Sequence, residues 1–164
     1  MSLAQKLERL ARIVPGVAGY QDRGRSRDTD KAIRLRLTTE LGQVKRDLEE
    51  DKRRLMEKKD LSLLPALDRV AAKLDKLGNT IKYASRGYRG LFDTYKLDQK
   101  KLDELYTFDL GLFEELGSVK SQAKRVRDSH PNSETVKNAT EELDRALDSF
   151  ENTFSRRQDT LTAE

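Results

Sequence analysis

The chain has 164 residues, 35% of them hydrophobic and 38% charged, with a formal net charge of +4. That is long enough to enclose a core, and the charge excess fits helices carrying one apolar stripe rather than a sandwich or barrel. The absence of cysteine removes disulfides, thiolate metal sites and thiol catalysis.

Residues 2–14 spell a short amphipathic helix, with Leu3, Leu7, Leu10 and Val14 on one side and Lys6, Arg9 and Arg12 on the other. Pro15-Gly16 ends it. The charges spread through this stretch are not the basic-then-apolar layout of a signal peptide, and no segment approaches the ~18 apolar residues of a membrane span. The expected location is therefore cytoplasmic, with peripheral contact at the inner membrane face as a variant.

A second helix is expected from about Tyr20 to Lys59. Its seam is Ile33, Leu37, Leu41, Val44, Leu48, Asp51 and Leu55, in steps of three and four that a strand cannot produce and a heptad does. At ~1.5 Å per residue it would reach roughly 60 Å, which predicts an elongated molecule. Asp60 or Ser62 is the expected cap of a third helix, whose seam is Leu63, Leu67, Val70, Leu74, Leu77, Ile81 and Ala84. Arg86-Gly87-Tyr88-Arg89-Gly90 interrupts it, because glycine weakens a helix.

A fourth helix, about Lys96 to Asp128, has the seam Leu102, Leu105, Asp109, Leu112, Leu116, Val119, Ala123 and Val126. His130-Pro131-Asn132-Ser133 stops it and restarts the chain, with Asn132 or Ser133 as the new cap. The fifth helix carries Val136, Thr140, Leu143, Leu147, Phe150, Phe154 and Leu161, with Asp159 to Glu164 expected to fray. The predicted fold is all-α: an elongated antiparallel helical bundle, or coiled-coil hairpins, of about four to five helices. It is read as one domain over 1–164, with a short helix and Pro-Gly turn at 1–16, long helices at 20–128 and a C-terminal helix at 132–160.

Charge is unevenly spread. Residues 1–96 hold 23 Lys/Arg against 14 Asp/Glu, and residues 97–164 hold 10 against 15. Oppositely charged helices can pair within a bundle or between chains, and a basic face can also meet anionic lipid or nucleic acid.

Motifs for catalysis are missing. The single histidine, His130, sits in an inter-helix turn where a solvated side chain is expected, and neither His-Glu-x-x-His nor a phosphate-binding glycine loop occurs. An enzyme is not expected, and no catalytic, cofactor or metal residue is assigned. Asp51 and Asp109 intrude into apolar seams, so each is expected to find a cationic partner from a neighbouring helix and fix register, with a ligand or ion role, or a helix rotation that exposes it, as the alternatives. Arg86, Tyr88, Arg89, Phe92 and Asp93 form the densest local signature, readable as a helix bend or as a partner or anion site. Arg23, Arg27 and Arg34 make a candidate basic surface, with Arg27, Asp30 and Arg34 spaced for helix-surface pairs.

Two segments together carry a resemblance. Pro15-Gly16-Val17-Ala18-Gly19-Tyr20 with Asp22-Arg23 matches the form PGxxGYxDR, and Arg86-Gly87-Tyr88-Arg89-Gly90-Leu91-Phe92-Asp93 matches RGYxGLFD. In this the chain resembles an uncharacterised bacterial all-helical family over roughly residues 10–125. The resemblance implies a bacterial source and a helical fold, and it assigns no role to any residue.

The leading functional expectation is a non-enzymatic scaffold or adaptor that associates through coiled-coil seams with itself or with a helical partner. The alternative is a peripheral membrane-surface protein using the basic amphipathic N-terminal helix on an anionic membrane. A third is nucleic-acid binding through the basic N-terminal half, against which the thin aromatic content counts.

Overall fold

The computed structural model describes residues 1–20, 23–84 and 99–162; of these, the side chains of Arg23 and Thr162 are not described. The described residues form five helices: α1 (Leu3–Ile13), α2 (Arg23–Glu57), α3 (Leu64–Tyr83), α4 (Gln99–Asp128) and α5 (Ser133–Thr162). No strand occurs among the described residues.

Heptad spacing explains the assembly. Every predicted seam position of α2, from Ile33 to Leu55 and including Asp51, is buried. So are Leu67, Val70, Leu74, Leu77 and Ile81 of α3, Leu105 to Val126 along the α4 seam, and Val136 to Leu161 along α5. These side chains form one continuous core, whose burial is the main driving force for an otherwise charged chain.

Ion pairs report how the helices run. Lys45 reaches Asp75 at 2.6 Å and Lys52 pairs with Asp68, so α2 and α3 are antiparallel. Glu115 accepts from Ser149 and Thr153, and Asp109 from Arg157, so α4 and α5 are antiparallel too. Lys120 meets Glu40 at 2.7 Å and Arg127 meets Asp51 at 3.0 Å, which sets α4 parallel to α2. Lys73 bridges Asp144 and Asp148, and α3 lies parallel to α5. The bundle is thus two antiparallel hairpins, and the order around the core is α2, α3, α5, α4. Successive helices α3 and α4 stand diagonally rather than side by side.

The helix ends revise several expectations. The second helix starts at Arg23 rather than Tyr20, because Tyr20 is drawn into the core by the loop before it. It stops at Glu57, where Lys59 turns to φ 58° and the Asp60 N–H bonds back to the Leu55 carbonyl. Neither Asp60 nor Ser62 caps α3; the Asp60 carboxylate instead accepts from the Ser62 and Ser133 hydroxyls and ties this turn to the α4–α5 turn. Asn132 caps α5 by accepting from the Thr135 N–H. Helix α5 continues to Thr162, with Leu161 buried in the core.

Helix α1 begins with a capping box between Ser2 and Gln5 and lies on α4. Leu10 is fully buried, and Lys6 bonds Asp103 at 2.5 Å and Thr107 at 2.9 Å. The apolar face of the N-terminal helix is therefore docked on the chain's own bundle. Gly16 (φ 96°) and Gly19 (φ 98°) then take positive dihedrals that return the chain alongside the start of α2. The Thr29 hydroxyl holds that return, accepting from the Ala18 and Gly19 N–H groups and donating to the Gly19 carbonyl.

Candidate functional site

The most concentrated polar chemistry among the described residues is inside the bundle. Four side chains from three helices and the returning loop meet there: Tyr20, Asp30 of α2, Asp109 of α4 and Arg157 of α5. Arg157 and Asp109 are both 0% exposed. The Arg157 Nε–H donates to Asp109 Oδ1 at 2.6 Å, and its Nη2 donates to Asp30 Oδ1 at 2.8 Å and to the Tyr20 hydroxyl at 3.0 Å. Its Nη1 donates to Gln158 Oε1 at 3.2 Å. The Tyr20 hydroxyl donates to Asp109 Oδ2 at 2.5 Å. Arg34 closes the other side of Asp30, at 2.8 Å from Nε and 2.6 Å from Nη2.

Two carboxylates thus face two guanidinium groups, so the buried charge is balanced, which such burial requires. Burial and the nearby Asp109 hold the Tyr20 phenol well above its ordinary value. Burial also raises the Asp109 carboxyl, although Arg157 and Tyr20 pull against it. Burial alone would weaken the Arg157 proton's hold, but Asp109, Tyr20 and Asp30 outweigh it and raise the guanidinium well above its usual range. Tyr106 completes the floor: its hydroxyl accepts from the Tyr20 N–H at 3.1 Å, with ring centroids 5.5 Å apart.

Asp51 sits at the opposite end of the core, 1% exposed. Arg127 donates to it from Nε at 3.0 Å and to the Asp47 carbonyl from Nη2 at 3.1 Å. Burial raises the Asp51 carboxyl, with Arg127, His130 and Arg54 drawing it back. His130 is not a solvated turn residue: it is half-buried, and its Nε2 is enclosed without a hydrogen-bond partner.

The predicted basic surface is not assembled as expected. Arg34 turns inward, held by Asp30 and the Ile81 carbonyl, because the position beside Ile33 faces α3. Asp30 is likewise a core residue and not part of a surface pair. Arg27 is exposed. Arg23's side chain, and Arg86, Tyr88, Arg89, Phe92 and Asp93, lie outside the described residues. Arg157 was not expected here at all, Asp30 was expected in a surface pair, and Tyr20 was expected at the start of the second helix. The signal for two of them was periodicity: Asp30 stands three before Ile33, and Arg157 three after Phe154 and four before Leu161.

Two grooves run along the joints between the hairpins. One, of about 300 Å³, lies where α1 and α4 meet α2, beside Phe113 and Leu110, and its charges are paired as Arg9–Glu114, Arg36–Glu40 and Lys120–Glu40. The other, of about 520 Å³, lies between α3 and α5. Among the described residues, no group of three or more histidine and acidic side chains is placed to hold a metal, and no helix is long and apolar enough to cross a membrane. No protein-family model, no curated protein and no solved structure matches this chain.

Proposed function

We propose that the chain is a non-enzymatic helical scaffold or adaptor that docks a helical partner bearing acidic side chains. The groove between α3 and α5 carries this reading. Its floor is Ala66, Val70 and Thr140, small enough for a helix to approach. On its walls, Lys73 is engaged by Asp144 and Asp148, and Arg145 by Glu142. Arg69 and Lys137 have no partner among the described residues and outnumber the one unpaired carboxylate of the groove, Glu141, which leaves a cationic excess to select carboxylates on an incoming helix.

The polar network supports the same reading from the inside. Its charges are consumed by one another, as in a lock that fixes register, rather than aimed at a bound molecule. Because the heptad seams are buried in the chain's own core, the reading places association on the outer groove. A photo-reactive residue at position 66 of the full chain, in its host cell, tests it. Adducts to an acidic helical protein or to a second copy are expected, and Arg69→Glu/Lys137→Glu should abolish them. Absent adducts, or adducts indifferent to the charge reversal, would contradict the proposal.

A further inference from the structure

The α2–α3 turn carries a combination that packing does not require. Met56 and Leu61, 57% and 59% exposed, are among the few large hydrophobic side chains facing solvent among the described residues, and they flank this one turn. Between them stand Lys58 and Lys59, both exposed, and neither ammonium group has a partner among the described residues. Arg53 and Arg54, just before them, are engaged by Glu57 and Glu50. Lys59 occupies the positive-φ position that closes the helix, at 58°, where glycine is the unstrained choice. A long cationic side chain is thus kept at the point of the turn despite a conformational cost. The tip is also firmly set, by the Asp60 N–H to Leu55 carbonyl bond and the Ser133 hydroxyl on the Asp60 carboxylate. Lys124 and Arg125, exposed in the last turns of α4, add positive charge at the same end, against Asp128 and Glu134.

We propose that this tip is a contact surface for an anionic bilayer, with Met56 and Leu61 entering the boundary between headgroups and acyl chains while Lys58 and Lys59 meet lipid phosphates. Charge and shape select this occupant. Two apolar side chains on one convex turn bury far less than the ~800 Å² per partner of a stable protein interface. A bilayer needs no matching surface; it accepts two apolar side chains and adds attraction for each cation near its plane. Lysine suits the place, since its methylenes lie beside apolar neighbours while the ammonium reaches outward. This contact is independent of the helical-partner groove, which lies on the side of the bundle and uses different residues.

Co-sedimentation of the full chain with vesicles tests the proposal. Partition is expected into phosphatidylcholine–phosphatidylserine vesicles at low salt, with loss at high salt and none into phosphatidylcholine alone. Each lysine should contribute about fivefold, so Lys58→Gln/Lys59→Gln should lower the partition by roughly 25-fold. Met56→Ser/Leu61→Ser should abolish it with the helical circular-dichroism signal intact. Lys59→Gly separates binding from folding: partition should drop about fivefold while the melting temperature rises. No binding to the mixed vesicles, equal binding to neutral ones, or unchanged partition in the tip variants would overturn the proposal. So would loss of binding in Arg9→Gln/Arg12→Gln on α1 with the tip variants unaffected.

Discussion

The Tyr20 hydroxyl donates to Asp109 Oδ2 over 2.5 Å, with both side chains closed to solvent. Ionising that phenol would place a second negative charge against the carboxylate, so burial and Asp109 together raise it well above its ordinary value of 10.0. In the unfolded chain the same phenol titrates normally. Above pH 10 the unfolded state therefore releases a proton that the folded state keeps, and stability falls as pH rises toward the folded value. Spectrophotometric titration should show Tyr20 ionising well above 10.0, with Tyr106 shifted in the same direction. Tyr20→Phe should remove its part of the alkaline loss. A Tyr20→Phe protein whose phenol titration above pH 10 matches that of the parent would contradict the buried bond.

Asp51 gives the opposite end of the pH scale. Its carboxyl is raised from 3.8 by burial, so its contribution to stability is full below 3.8 and is lost as pH rises through the raised value. Asp51→Asn should flatten the stability profile in that window, as measured by urea unfolding across acid pH. Arg127→Met should be worse than Asp51→Asn at neutral pH, by about 3 kcal/mol, because it leaves a buried carboxylate unpaired. Equal or smaller loss in Arg127→Met would show that the pair is not what makes this burial tolerable.

Gly16 and Lys59 should respond to substitution with opposite signs. Both hold positive φ, 96° and 58°. A Cβ on Gly16 would meet only Ala32 Cβ at 3.8 Å, an ordinary contact, so Gly16→Ala should cost about 1–2 kcal/mol through the backbone alone. Lys59→Gly relieves the same strain but gives the unfolded chain more freedom, for a net gain of about 0.5–1 kcal/mol. In thermal melts this is a rise of roughly 2 °C for Lys59→Gly and a larger fall for Gly16→Ala.

The seams were legible because burial follows the heptad except at the half-buried Ala84 and Leu102, and it does so even at Asp51 and Asp109 where the residue type argues against it. What periodicity cannot carry is the order of helices around the core. Helices α3 and α4 stand diagonally, and that placement decides which seam polar residues meet. Arg157 and Asp30 are 127 positions apart, and only the ring order brings α5 and α2 to a shared end. Arg157 also hid in plain spacing: the step from Phe154 to Leu161 skips a seam position, and a charged residue there reads as a break. Arg34 shows the converse fault. Its pairing with Asp30 followed from the four-residue spacing, but spacing does not say that the pair faces inward.

The buried network is a lock whose members hold one another, and a double-mutant cycle on Asp109 and Arg157 measures that coupling. Urea unfolding at neutral pH should show Arg157→Met alone losing about 3–5 kcal/mol, since Asp109 and Asp30 remain buried without it. Asp109→Asn alone should lose somewhat less. The double variant should lose less than the sum, with a coupling of about 2 kcal/mol. Additive losses, or an Arg157→Met protein as stable as the parent, would contradict the lock.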